Sequence, residues 1–281
     1  MRTEPSPPTG CYRLVDRGPD GQDGVREAFE PTSAAGSPWS DDLQHGGPVG
    51  AVLTRAMRLL PQAAPGRIAR TTVEILGPVA MAPIEVTASV ARPGRKIALL
   101  SAVASQRGPS GLRPVAQASA WWLRTQDSSD VVHTPDAQPP DPTPAELDRG
   151  ELGVPASWRR GFVGSLEWAV RTGIGRIDGP AMAWASMPYP LVEGDTGDEL
   201  ERTIAIADAA SGVGSRLDPA DWVFMNTELT IHLADAPTGA WTGLVAESWI
   251  GQDGVGLSQA VLHDLTRPVG RVAQTLLLER R

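Results

Sequence analysis

The chain repeats itself, and that restricts the folds open to it more than any other feature. A helix-forming segment followed by four long strand-like runs occurs twice. In the first copy, SDDLQHGGPVGAVLTRAMRLLP offers Asp41 or Asp42 as a cap and two glycines for a tight turn. Val49, Leu53, Ala56 and Leu60 then recur at helical spacing, and Pro61 stops the run. The spacing predicts a helix over Gly47–Leu60 with one apolar face. Strands are expected over Ile68–Val79, Ile84–Ala91, Lys96–Gln106 and Pro114–Leu123, where apolar residues alternate between Gly/Pro turns. In the second copy, Leu166–Arg176 and Ala181–Tyr189 read as strands and Asp198–Leu217 as a helix with an acidic start. Four more strands are expected over Trp222–Leu233, Trp241–Gly251, Gly256–Asp264 and Val269–Glu279. Strands this long around one helix suggest an antiparallel sheet wrapped on it.

The copies also match in letters. Val-Ala-Gln occurs at 115–117 and at 272–274 (274 − 117 = 157). Arg70–Ile75 faces Asn226–Ile231 at nearly that offset (227 − 71 = 156), and Gly50 faces Asp208 in the helices (208 − 50 = 158). Residues 125–157 are dominated by Pro, Asp and Ser, as a connector would be. The division expected is 1–124, linker 125–157 and 158–281. Residues 1–40 read as irregular, with at most short strands near Tyr12–Val15 and Arg26–Glu30.

Composition narrows the function classes. The net charge of −8 argues against nucleic acid or an anionic membrane as partner. No apolar run approaches the length of a membrane span, and MRTEPSPPTG has no signal-peptide pattern, so a cytoplasmic protein is expected. Cys11 is the single cysteine and reads as a small hydrophobe, not a nucleophile. No His/Cys/Asp cluster has metal spacing and no G-x-S-x-G elbow occurs, so neither a metal site nor a Ser-His-Asp triad is expected. His133 falls in the linker, and His232 and His263 fall in strands.

Four places could carry chemistry. Asp208 is the one charged residue between Arg202 and Arg216, so it is either an exposed helix residue or a carboxylate held in a partly dry cleft. Gln274 interrupts the apolar strand V-A-Q-T-L-L-L; it points to solvent or holds something inside. Thr227 and Thr230 lie on a strand whose register decides which faces inward. His45-Gly46-Gly47 opens the first helix, where free backbone N–H groups and the helix dipole could hold an oxyanion. Paired glycines also allow close packing. The tryptophans, including Trp121, Trp122, Trp184 and Trp249, fill a core by default.

The strings HGGPVGAVLTRAM, RTTVEILGPV, IEVTASVARPGRK and PVAQASAWWLR resemble the first half of a double-hotdog acyl-CoA thioesterase of the thioesterase II group. ADAASG, NTELTIHL, GAWTGLVAESWIGQDGVGLSQAVLHD and VAQTLLLER resemble its second half. The resemblance implies an α+β tandem hotdog, each unit a long helix wrapped by a curved antiparallel sheet, with the two sheets joined. It implies hydrolysis of acyl-CoA without cofactor or metal, by a water held by a carboxylate, a hydroxyl residue and a glutamine. Carried onto this sequence, these are Asp208, Thr227 or Thr230, and Gln274, with Asn226 able to take the hydroxyl's place. Gln117 would be a relic or pocket lining, and Arg92, Arg95 and Lys96 a basic spot for CoA phosphates. The resemblance also implies a homo-oligomer. A non-catalytic acyl-CoA or lipid-binding protein is the alternative; a hydratase is disfavoured because its Asn-Pro string is missing.

Overall fold

A computed structural model describes residues 8–21, 23–62, 64–137, 158–172 and 179–281. The first half runs β1 (Tyr12–Asp20), β2 (Gly24–Pro31), α1 (Gly46–Arg58), β3 (Gly66–Ile75), β4 (Ile84–Arg92), β5 (Ile97–Gly108) and β6 (Gly111–Arg124). The second runs α2 (Gly161–Ser165), β7 (Glu167–Thr172), β8 (Ala181–Ser186), α3 (Glu199–Ala207), α4 (Ala210–Val213), β9 (Trp222–Asn226), β10 (Glu228–Leu233), β11 (Trp241–Ile250), β12 (Val255–His263) and β13 (Pro268–Arg280). β1 and β2 are longer than the sequence suggests. The outer part of β1 is exposed, so it carries no apolar alternation to read. Of the expected linker, 138–157 lies outside the described residues, as does 173–178 of the expected strand Leu166–Arg176.

Among the described residues the strands form one open, antiparallel, thirteen-stranded sheet. Its order is β1-β2-β4-β5-β6-β3-β10-β13-β12-β11-β8-β7, with β9 paired to β13. The two halves of this list are the same order reversed, with β3 matching β10 and β6 matching β13. The repeat is thus real at the level of topology. The halves meet where β3 pairs with β10, Val73 opposite Leu229 and Thr72 opposite Thr230.

The Val-Ala-Gln match does not survive as a register. Side chains alternate faces along a strand, so equivalent positions in two copies must face the same way. At an offset of 157, Gln117 falls on the exposed face of β6, whereas Gln274 is fully buried in β13. The shared tripeptide is a coincidence of letters, and Gln117 does not line the site.

Helix α1 is buried on both sides, between α3 and the face formed by β4, β5 and β6. Leu53 and Met57 are fully buried within it. Gly47 explains the closeness of the two helices: a Cβ there would lie 2.3 Å from the Ala205 carbonyl oxygen. The cap is neither Asp41 nor Asp42 but His45, whose Nδ1 accepts from the Gly47 N–H. Further along, buried Arg55 lies between Glu27 on β2 and Asp195 and Glu201 from the second half, while Arg58 also bonds Glu201. Burial pushes the Glu201 carboxyl above its ordinary range, against the opposing pull of these arginines. No helix among the described residues is long and apolar enough to cross a membrane.

Candidate functional site

Asp208 sits where the second helix breaks. The sequence predicts one helix over Asp198–Leu217, but α3 stops at Ala207, Asp208 caps it, and α4 restarts at Ala210. The cause is Gln274. Its Oε1 accepts from the Ser211 N–H at 3.1 Å, and its Nε2 donates to the Asp208 carbonyl at 3.1 Å. A continuous helix would have sent that N–H to the Ala207 carbonyl. The amide of a strand residue thus occupies the gap in the helical ladder, one of the recognised ways a helix is broken.

The same amide reaches the Asp208 carboxylate, Nε2 donating to Oδ1 at 3.1 Å. Asn226 Nδ2 donates to that oxygen at 2.7 Å. Asn226 can do so because the expected strand Trp222–Leu233 is interrupted. Asn226 opposes Leu276 on β13, while Thr230 opposes Ala273, so the register shifts by one residue at Thr227. This is a bulge, and it changes which residues face inward: Phe224 and Asn226 before it, Leu229 and Ile231 after it.

With Oδ1 held by two amides, Oδ2 faces the N-terminus of α1. His45 Nδ1 lies 3.1 Å from it, and the two side chains are only 11% and 3% exposed. Gly46 keeps that space open, since a Cβ there would be 2.9 Å from Oδ2. The Gly47 N–H points at His45 Nδ1 at 3.0 Å. The imidazole packs against Phe162, with ring centroids 5.1 Å apart.

A small cleft opens beside these groups. His45, Asp208, Ser211 and Asn226 form its polar part. Trp39, Trp158, Trp168 and Phe224 form its apolar part, with Trp39 edge-on to both Trp158 and Phe224. These rings were not singled out in the sequence. They come from three parts of the chain, around residues 39, 158–168 and 224, and nothing local marks them as neighbours. Two arginines flank the cleft: Arg160 bonds the Pro38 carbonyl and Arg281 lies over the Trp39 ring.

The structure therefore brings together Asp208, Gln274, Asn226, His45, Gly46 and Gly47. It does not bring in the two threonines. Thr227 is exposed at the bulge. Thr230 bonds Thr72 and Glu228 at the junction of the two halves, so its hydroxyl is engaged away from Asp208. Cys11 is buried, which pushes its thiol far up and away from nucleophilic use. Arg92, Arg95 and Lys96 line a different hollow with Arg124, which shares no residue with the cleft. His133 is exposed in the connector; His263 is in β12, where burial lowers its basicity. Trp184 is fully buried and Trp249 exposed, neither of them in the cleft. Among the described residues, no three His, Cys, Asp or Glu side chains are grouped so as to hold a metal.

Residues 35–123 match the family model for an acyl-CoA thioesterase N-terminal domain, and residues 135–278 that for an acyl-CoA thioesterase C-terminal domain. Comparison with curated protein sequences gives no match. Among solved structures, the chain is similar to a conserved protein of unknown function with hot dog fold from Alicyclobacillus acidocaldarius. The two are 17% identical over 94% of this chain and 96% of that one, with a TM-score of 0.73. It is similar to the acyl-CoA thioesterase II TesB2 from Mycobacterium marinum at 13% identity, 95% of each chain and TM-score 0.61. It is similar also to the dehydratase domain from the CurF module of curacin polyketide synthase, at 14% identity, 95% and 98% coverage and TM-score 0.55. These likenesses speak to fold alone, and one fold here serves different chemistries. The two family models, however, between them span both halves, so this protein belongs to the acyl-CoA thioesterase family and is a thioesterase.

Proposed function

We propose that the chain is a tandem hotdog, divided near residues 124 and 158, that hydrolyses acyl-CoA at one site built from both halves. The observation that carries this reading is the asymmetric environment of Asp208. Two amides hold Oδ1, which fixes the carboxylate, and Oδ2 is left toward the cleft. Asn226, not a threonine, stands beside Gln274 in this role. A water beside Asp208 passes a proton to a basic group of the site as its oxygen bonds to the thioester carbon. The C–S bond then breaks, and the CoA thiolate takes a proton on leaving. The acyl group lies among Trp39, Trp158, Trp168 and Phe224, and the CoA phosphates lie toward Arg160 and Arg281.

A panel of acyl-CoAs from acetyl to palmitoyl, read by free-thiol release, tests this. At least one is expected to turn over at roughly 1–10³ s⁻¹, the ordinary range for enzymes. Calorimetric binding of acyl-CoA without thiol release from any member would contradict it.

A further inference from the structure

His45 Nδ1 stands between two neighbours that make opposite demands. The Gly47 N–H, at 3.0 Å, needs it to be an acceptor; the Asp208 carboxylate oxygen, at 3.1 Å, needs it to be a donor. A neutral imidazole nitrogen is one or the other. With Asp208 ionised, a bare Nδ1 would set two lone pairs against each other in a nearly dry site. A hydrogen bond to a carboxylate is about twice as strong as one between neutral partners. The carboxylate therefore wins the proton's placement, and the ring carries its hydrogen on Nδ1. Its other nitrogen, Nε2, is then bare and basic, on a side chain that lines the cleft with Asp208.

We propose that His45 is the proton carrier of this site and that Asp208 orients it, with the pair formed across the two halves of the chain. This rests on the hydrolytic reading above. In it, a water in the cleft at Nε2 passes its proton to that nitrogen as its oxygen bonds to the thioester carbon. The imidazolium is stabilised by Asp208 through Nδ1–H. When the C–S bond breaks, Nε2–H protonates the thiolate, and His45 returns to its neutral form. Water and thioester become acid and thiol with no other reactant. The shape of the site supports the pairing. Gly46 leaves room for Oδ2 beside the ring, and Phe162 holds the ring in place.

Two measurements test it. The chain has four histidines, so the ¹⁵N resonances of the His45 ring can be assigned by its absence in a variant. In neutral wild-type protein the proton is expected on Nδ1; a bare Nδ1 with the proton on Nε2 would overturn the inference and leave His45 as a helix cap. His45→Asn separates the two roles kinetically, because asparagine is among the best N-cap residues and its side-chain oxygen can accept from the first turn of the helix. It is expected to melt with the wild type and to lose about 10²–10⁴-fold in kcat, the span of general acid–base catalysis, with KM within about threefold. Wild-type kcat in His45→Asn overturns the carrier role and leaves the hydrolytic reading standing. No thiol release by the wild type overturns the hydrolytic reading, and the carrier role falls with it.

Discussion

At the scale of single residues, Gln274 links the fold to the chemistry. A glutamine with no exposed surface must find its partners inside the protein. It finds the Ser211 N–H, the Asp208 carbonyl and the Asp208 carboxylate, and so holds the helix break and the carboxylate together. Gln274→Leu would leave these groups unpaired. It is expected to lower stability by about 1–3 kcal/mol, read by urea unfolding, and kcat by about tenfold or more. Thr227→Val, one residue from Asn226 but exposed, is expected to stay within about 0.5 kcal/mol and about twofold in kcat. Equal losses in the two variants would show that the bulge residue matters as much as the buried amide. That Asp208 and Gln274 are buried was one of two readings open to each, since each interrupts an apolar run. The choice of Asn226 over the threonines was not legible, because a bulge changes facing by one residue and leaves no mark in the local pattern.

At the scale of elements, the sequence located the helices but missed how one ends. The 3.6-residue pattern runs through Asp208 into Val213, and the interruption comes from a strand residue 66 positions later. Helix pairing is similar. Gly47 permits the close approach, while the Arg55 cluster joins β2, α1 and α3 through charges that no periodicity reports. Arg55 is buried against Glu27 and Glu201, which are themselves buried, so its loss takes one cation from each and leaves Arg17 on Glu27 and Arg58 on Glu201. Arg55→Met is expected to cost about 3–5 kcal/mol, as breaking a buried ion pair does, and to lower the melting temperature by several degrees. An unchanged melting temperature would mean that water reaches these carboxylates once the arginine is gone.

At the scale of the whole molecule, the repeat was legible and its meaning only partly so. Two helix-and-strand series in the same order gave the symmetric sheet. The tripeptide that first suggested a register was misleading, since one of its glutamines is exposed and the other buried. What separates the halves is what each brings to one cleft. The second half supplies Asp208, Asn226 and Gln274, and the first supplies His45 and the glycines beside it. In the first helix Gly50, which the sequence sets against Asp208, lies against Val73, Ile204 and Leu229. That surrounding is apolar and holds no carboxylate. Duplication, on this account, left one hydrolytic centre that neither half could form alone.

The most direct test of that centre is the kcat of Asp208→Asn on the best acyl-CoA of the panel, with circular dichroism and melting temperature measured on the same sample. The account predicts wild-type folding with turnover reduced by about 10²-fold or more, because Asn has no charge to stabilise the imidazolium beside it. Hydrolysis at the wild-type rate in a folded Asp208→Asn protein would contradict it.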